Sequence, residues 1–265
     1  MEDEVRDFSD GVAYVDGCFV PLREARVPIL NWGFLRSDAT YDVAHVWHGR
    51  FFRLNDHLAR FERGIARLRM NLPLSLAEVR QVLIQSVRLS GFKDAYVEMI
   101  CTRGAPPPGS RDPRQCRNAF FAFAAPFVWI AGPEKQQTGL SLRISKVRRI
   151  PAESVDPTVK NYHWSDLTKG LFEAYDNGDE TVVLTDGAGR VVEGPGFNIF
   201  AVIEGELVTP ATGVLEGITR RTAIELASRA GKMVREREVG ADELRRAEEV
   251  FPDEYGRWNY AGDAR

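Results

Sequence analysis

Apolar and polar positions along this chain follow two rhythms, one of period two and one of period 3.6, and the change between them marks the elements. Between Val12 and Leu22 short apolar runs flank Asp16-Gly17, which predicts two strands joined by a tight turn. From Arg53 to Met70, Leu54, Leu58, Phe61, Ile65 and Leu68 recur at helical spacing, with Asn55 or Asp56 placed to cap the start. Ser75 to Leu89 predicts a second helix, opened by a serine cap and closed before Gly91. Ala95–Cys101 and Ala119–Ala125 read as strands. The run Gly104-Ala105-Pro106-Pro107-Pro108-Gly109 between them reads as an exposed loop, because proline donates no ladder hydrogen bond. Arg111 and Arg114 follow and make that loop positive.

The second half repeats the mixture. Ala131 to Gln137 is rich in Gly, Pro and polar residues and reads as a linker. Leu140–Lys146 alternates like a strand, and Trp164–Tyr175 is helical up to Asn177-Gly178. Thr181–Thr185, Arg190–Glu193 and Asn198–Ile203 read as short strands, joined by Asp186-Gly187 and Gly194-Pro195-Gly196. Glu204-Gly205 predicts another hairpin, and Arg220–Ala230 a helix with Gly231 past its end. Strands and helices do not strictly alternate, which predicts α+β rather than a doubly wound sheet. The expected division is a domain over 1–130, a linker over 131–138 and a second domain over 139–265.

Composition narrows the function classes. The chain has 265 residues, 44% apolar and 28% charged, a soluble globular balance. A net charge of −3 gives no reason to expect nucleic acid or an anionic membrane as partner. No apolar run approaches the roughly 18 residues of a membrane span, and Met1 to Asp10 is too polar and acidic for a signal peptide. Cys18, Cys101 and Cys116 are odd in number and lack metal-ligand spacing, which predicts free thiols in a reducing, cytoplasmic setting. His45, His48 and His163 likewise show no metal-ligand spacing, so no metal site is expected.

Four places carry candidate chemistry. Lys160 follows Asp156-Pro157-Thr158-Val159 and precedes Asn161-Tyr162, an extended lead-in to an element boundary. There a lysine is either a solvated surface group or, if partly desolvated, a nucleophile. Glu193 ends a strand before Gly194-Pro195-Gly196-Phe197-Asn198, either as a hairpin-end carboxylate or as one that can approach a flat ring closely. Asn198 can orient neighbours or satisfy the turn. Gly217-Ile218-Thr219 opens a helix, either an ordinary capped end or an anion site made of free amides and the helix dipole. Arg53, ahead of the first long helix, can contact a phosphate or carboxylate. His57 shares its helix face and reads as a packing or hydrogen-bonding residue.

Taken together, the stretches Thr158-Val159-Lys160-Asn161-Tyr162, Val192-Glu193-Gly194-Pro195-Gly196-Phe197-Asn198 and Gly213-Val214-Leu215-Glu216-Gly217-Ile218-Thr219-Arg220 resemble the class IV, fold-type IV aminotransferases. Asp38 to Val43 and Phe51 to His57 match as well, so the resemblance runs from about Val12 to Phe251. Val155 to Asn161, with Glu193 to Asn198, is similar to the (R)-selective amine transaminase branch. The resemblance implies a small N-terminal α/β domain and a larger, barrel-like C-terminal α/β domain with pyridoxal 5'-phosphate (PLP) between them. It implies a homodimer whose sites borrow a partner loop. It assigns Lys160 as the Schiff-base lysine and proton shuttle, and Glu193 as partner of the pyridine nitrogen. Arg53, Gly217, Ile218 and Thr219 fall to the phosphate, with Asn198 beside the cofactor. Tyr41 would line the substrate pocket, and Arg111 could reach a substrate carboxylate. The implied reaction has two halves, moving an amino group from an (R)-amine, branched-chain or D-amino acid donor to a keto acid. After Phe251 the chain departs from the family: the family's phosphate-binding turn is replaced by Pro252 to Tyr260, in which no strand is predicted. The C-terminal segment is therefore expected to be truncated. Competing readings are a PLP lyase of the same fold, similar to aminodeoxychorismate lyase, and a paralog weakened by the lost turn.

Overall fold

The computed structural model describes Asp7 and residues 9–253. The chain divides into two compact units: Met1–Val128 with Val159–Tyr162, and Trp129–Thr158 with His163–Arg265. The Lys160 segment leaves the second half of the chain and belongs to the first unit.

The first unit is an antiparallel sheet covered on one face by helices. Its elements are β1 (Val12–Val15), β2 (Cys18–Pro21), α1 (Trp32–Arg36), β3 (Ala39–Trp47), β4 (Arg50–Phe51), α2 (Leu54–Arg67), α3 (Leu76–Ser90), β5 (Ala95–Ala105) and β6 (Arg117–Pro126). The strand order is β2-β1-β6-β5-β3-β4. The predicted hairpin forms, with Asp16 and Gly17 both at positive φ. α3 begins at a complete capping box, Ser75 accepting from the Glu78 amide while Glu78 returns a bond to the Ser75 amide, and it closes on Gly91 at φ 70°. α2 does not use the expected caps. Arg53 itself takes the N-cap position at φ 45°, with no side-chain cap. Gly104 and Ala105, expected in the loop, extend β5 instead. Gly104 (φ 71°) passes so close to β6 that a Cβ would lie 1.8 Å from the Arg117 carbonyl oxygen, and the register shifts there. The core forms where Leu58, Phe61 and Ile65 of α2 and Val79 and Leu83 of α3 meet Val97, Met99 and Cys101 of β5.

The second unit contains α4 (Pro133–Thr138), β7 (Leu142–Arg148), α5 (Ser165–Asp176), β8 (Thr181–Thr185), β9 (Glu193–Gly194), β10 (Phe197–Ile203), β11 (Glu206–Pro210), α6 (Ile218–Arg229), β12 (Val234–Arg237), α7 (Ala241–Arg245) and β13 (Glu249–Pro252). Its main sheet runs β12-β11-β10-β13 with β9 also on β10, while β7 and β8 form a parallel pair under α5. The expected linker holds α4, whose proline occupies the first turn, where a missing N–H does no harm. Of the strand expected over Arg190–Glu193, only isolated bridges at Arg190 and Val191 and the short β9 form. β13 continues through Pro252, against the expectation of no strand there. It is an edge strand, where proline is tolerated, and the Asp253 amide still donates to the Asn198 carbonyl at 2.9 Å. The rest of the expected strandless tail, Glu254 to Tyr260, lies outside the described residues.

Candidate functional site

In the first unit, the Lys160 segment attaches to β3 beyond the short reach of β4. The Lys160 carbonyl accepts from the Tyr41 amide at 3.1 Å and from the Thr40 hydroxyl at 2.8 Å, and Asn161 bridges Thr40. Buried Val159 anchors the same stretch. The lead-in is a turn rather than the expected extended segment, because Asp156 accepts from both the amide and the hydroxyl of Thr158. With its backbone fixed, Lys160 carries Nζ over the Tyr41 ring, 4.8 Å from the centroid. Tyr41 stacks on Tyr162 with centroids 4.2 Å apart and planes 10° apart. The Tyr162 hydroxyl donates to Glu98 Oε1. The structure thus brings Lys160 and Tyr41 together and adds Tyr162 and Glu98.

A second buried cluster sits on α2 and β3. Asp42, fully buried, accepts from Arg60 through Nε and Nη2 (2.8 and 2.9 Å) and pairs with His57 Nδ1 at 2.8 Å. Burial pushes the Asp42 carboxyl up, but Arg60 and His57 outweigh it and hold it at about 2. Burial drives His57 below its ordinary range despite Asp42. Its Nε2 is buried without a hydrogen-bond partner among the described residues. Arg53, the N-cap of α2, and Arg60, seven residues further on, differ in setting. The Arg53 side chain is 26% exposed and lies 3.6 Å from Asp56, whereas that of Arg60 is 7% exposed. Arg60 was missed from sequence because its acid comes from another strand; its place on the Leu58–Phe61 face was the available signal. Arg111 is exposed on the connection between β5 and β6, beside the Asp112–Arg114 pair.

In the second unit the groups gather around Glu193, a buried carboxylate on β9. Its Oε2 accepts from the Leu215 amide at 2.9 Å and its Oε1 lies 3.3 Å from Arg149 Nη2. Arg149 is held in turn by Asp166 at 2.7 Å. Sequence reasoning missed Arg149, which follows β7 in an arginine pair with no motif around it. Asn198 turns toward the same loop, its Nδ2 donating to the Leu215 carbonyl at 3.0 Å and its amide to Asp253 at 2.8 Å. Gly217 caps α6, and a Cβ there would lie 2.1 Å from Asn198 Oδ1, so the loop requires glycine. Ile218 and Thr219 form the first turn with no side-chain cap, which leaves their amides for an anion. Arg220 points away from that role, bonding Glu236 (2.8 Å) and the Pro210 carbonyl (3.0 Å).

The first unit supplies an amine over an aromatic ring and a buried arginine; the second supplies a fixed carboxylate and an uncapped helix start, the kinds of group that suit a phosphorylated pyridine aldehyde. Among the described residues no His/Cys/Asp/Glu group could hold a metal ion.

Comparison with known proteins gives a consistent answer. The family described as Amino-transferase class IV matches residues 39–252. A Methanocaldococcus jannaschii protein, provisionally named a branched-chain amino acid aminotransferase, is 32% identical over 90% of this chain and 82% of its own length. The branched-chain aminotransferase of Thermoproteus uzoniensis, solved with norvaline, superposes with a TM-score of 0.86 at 28% identity, covering 95% of this chain and 88% of that one. The branched-chain amino acid aminotransferase of Thermobaculum terrenum, solved in its PLP form, gives 0.83 at 25% identity, covering 97% and 86%.

Proposed function

The chain belongs to the class IV aminotransferases, and from that premise we propose that it moves an amino group between a branched-chain amino acid and a keto acid with PLP. The observation that carries this reading is Lys160, whose backbone is fixed to β3 and whose amine lies over Tyr41. PLP, when bound, supplies an electron sink for the carbon that loses its proton. Lys160 Nζ holds the cofactor, then takes the proton from the donor α-carbon and returns it during transfer. Glu193, kept in place by Leu215 and Arg149, favours a protonated ring nitrogen. Ile218 and Thr219 offer amides to the phosphate, and Arg60 and the helix-capping Arg53 offer positive charge. Asn198 and Gly217 shape that loop, and Tyr41 lines the substrate side.

The donor is the finer question. The relatives named above favour a branched-chain amino acid, while the Asp156–Asn161 motif keeps an (R)-amine or a D-amino acid in competition. The protein acts as a homodimer in the cytoplasm on this reading. Val27, Ile29, Leu30, Phe34 and Leu35 are each more than half exposed and form an apolar stretch suited to a second copy. Among the described residues no helix is long and apolar enough to cross a membrane.

The test is the visible spectrum of protein loaded with PLP and freed of excess, before and after L-leucine, D-alanine or (R)-1-phenylethylamine. Leucine is expected to bleach the yellow band and 2-oxo-4-methylpentanoate to restore it. Bleaching by another donor alone would reassign the substrate. A chain that retains no colour would refute the reading.

A further inference from the structure

Arg149 reaches Glu193 because β7 carries more residues than the strand beside it. Leu142, Arg143 and Ile144 pair in turn with Thr181, Val182 and Val183 of β8, but the next pair is Arg148 with Thr185. Ser145, Lys146 and Val147 thus stand opposite Leu184 alone, a bulge with two extra residues. Beyond it the Arg149 amide donates to the Thr185 carbonyl at 2.9 Å. On the other side of β8, Thr185 bridges Val191, two residues before Glu193. In a regular strand Val147 would take the place of Arg149 beside Thr185, and Arg149 would lie about 7 Å further along.

A bulge leaves amides without ladder partners, and here one side chain gathers them. Glu173, on α5, accepts from the Ser145 hydroxyl through Oε2 at 2.6 Å and from the Lys146 amide through both oxygens, at 3.1 and 3.3 Å. The Ser145 hydroxyl accepts in turn from the Val147 amide at 2.9 Å. Burial pushes the Glu173 carboxyl up, but the bonds from Ser145 and the backbone, with Arg143 nearby, hold it below its ordinary range. Asp166, seven residues earlier on the same helix, holds the Arg149 guanidinium. Seven residues are about two helical turns, so α5 presents both carboxylates on one side. Asp166 fixes the side chain of Arg149, and Glu173 fixes the backbone that leads to it.

We infer that Glu173 is a positioning residue: by holding the bulge in β7 it sets the register that brings Arg149 to Glu193, and so keeps the Glu193 carboxylate aimed at a pyridine nitrogen. This rests on the aminotransferase reading.

The test begins with the cofactor-free protein. Hydrogen exchange followed by NMR should show the Lys146, Val147 and Arg149 amides protected in the wild-type protein. In Glu173→Ala they should exchange at least about tenfold faster, as expected where hydrogen bonds to a charged group are lost. In protein loaded with isotope-labelled PLP, the nitrogen NMR shift should report a protonated ring nitrogen for the wild type. In Glu173→Ala it should move toward the unprotonated value, with PLP bound at least about tenfold more weakly. Glu173→Gln keeps an oxygen that can accept both bonds, and should hold the wild-type shift and stay within about threefold of the wild-type affinity. Glu243→Ala is the control. Glu243 likewise accepts from a backbone amide, that of Gly240, and from Arg237, but it sits on α7. Its loss should lower the melting midpoint and leave the ring-nitrogen shift in place. If Glu173→Ala does not fold, Ser145→Ala, which removes the hydroxyl between Glu173 and Val147, decides by the same readouts. Unchanged amide exchange or an unchanged ring-nitrogen shift in the Glu173→Ala protein would overturn the inference, as would an equal change in Glu243→Ala. Those results would leave the aminotransferase reading standing. A wild-type protein that binds no PLP would bring down that reading and the inference together.

Discussion

The two units prepare their functional groups by different means. The first does it with side chains: Lys160 over Tyr41, Tyr162 on Glu98, and Arg60 and His57 on Asp42. The second does it largely with backbone. Glu193 accepts from the Leu215 amide, Asn198 holds the Leu215 carbonyl, and Gly217 lets the loop close before α6. Side-chain networks in a buried setting are sensitive to loss of charge, because a remaining partner stays desolvated. Backbone clusters tolerate changes of charge but not of volume at a glycine.

This contrast predicts an order of effects. The largest belongs to Arg60→Ala, which leaves Asp42 buried without its guanidinium and should cost about 3–5 kcal/mol of stability by urea unfolding. Arg53→Ala on the same helix, with its arginine part-exposed, should cost less than about 1 kcal/mol in the same assay. Equal losses would erase the distinction between the two arginines. In the second unit, Gly217→Ala should cost about 1–3 kcal/mol, since Asn198 must move, and should weaken PLP retention. An unaltered melting midpoint would show that this loop is not held as described.

A further effect is a pH dependence. Burial and neighbouring His57 push His45 down to about 4, whereas an unfolded histidine titrates near 6.5. The unfolded chain therefore binds the extra proton first. The contribution is complete above pH 6.5 and is lost as pH falls toward 4. The wild-type melting midpoint should fall more steeply than that of His45→Gln over this range, by the equivalent of about 1–3 kcal/mol. Parallel curves would contradict the partial burial of His45.

What was legible in the sequence was local. The Ser75–Glu78 capping box, the Asp16-Gly17 turn and the all-buried Thr181–Thr185 strand are each written within a few residues. Lys160, Glu193 and Gly217-Ile218-Thr219 were legible as a motif set; the structure puts Glu193 at the start of β9, Gly217 at the cap of α6, and Lys160 in an irregular segment bonded to β3. Illegible were the partners brought from afar: Glu98 for Tyr162, Arg149 for Glu193 and Asp42 for Arg60. A tyrosine does not specify its acceptor in sequence, and an arginine pair after a strand looks like solvated surface. The caps offered by Asn55 and Asp56 failed for a related reason. Arg53 adopts a left-handed conformation and caps the helix two or three residues earlier, while Asn55 accepts from Arg80.

The central claim is that Lys160 is the residue that holds the cofactor. The most direct measurement is borohydride reduction of the PLP-loaded protein, followed by digestion and peptide mass mapping. The account predicts a single phosphopyridoxyl adduct on Lys160, absent in Lys160→Ala. An adduct on another lysine, or the same labelling in Lys160→Ala, would contradict it.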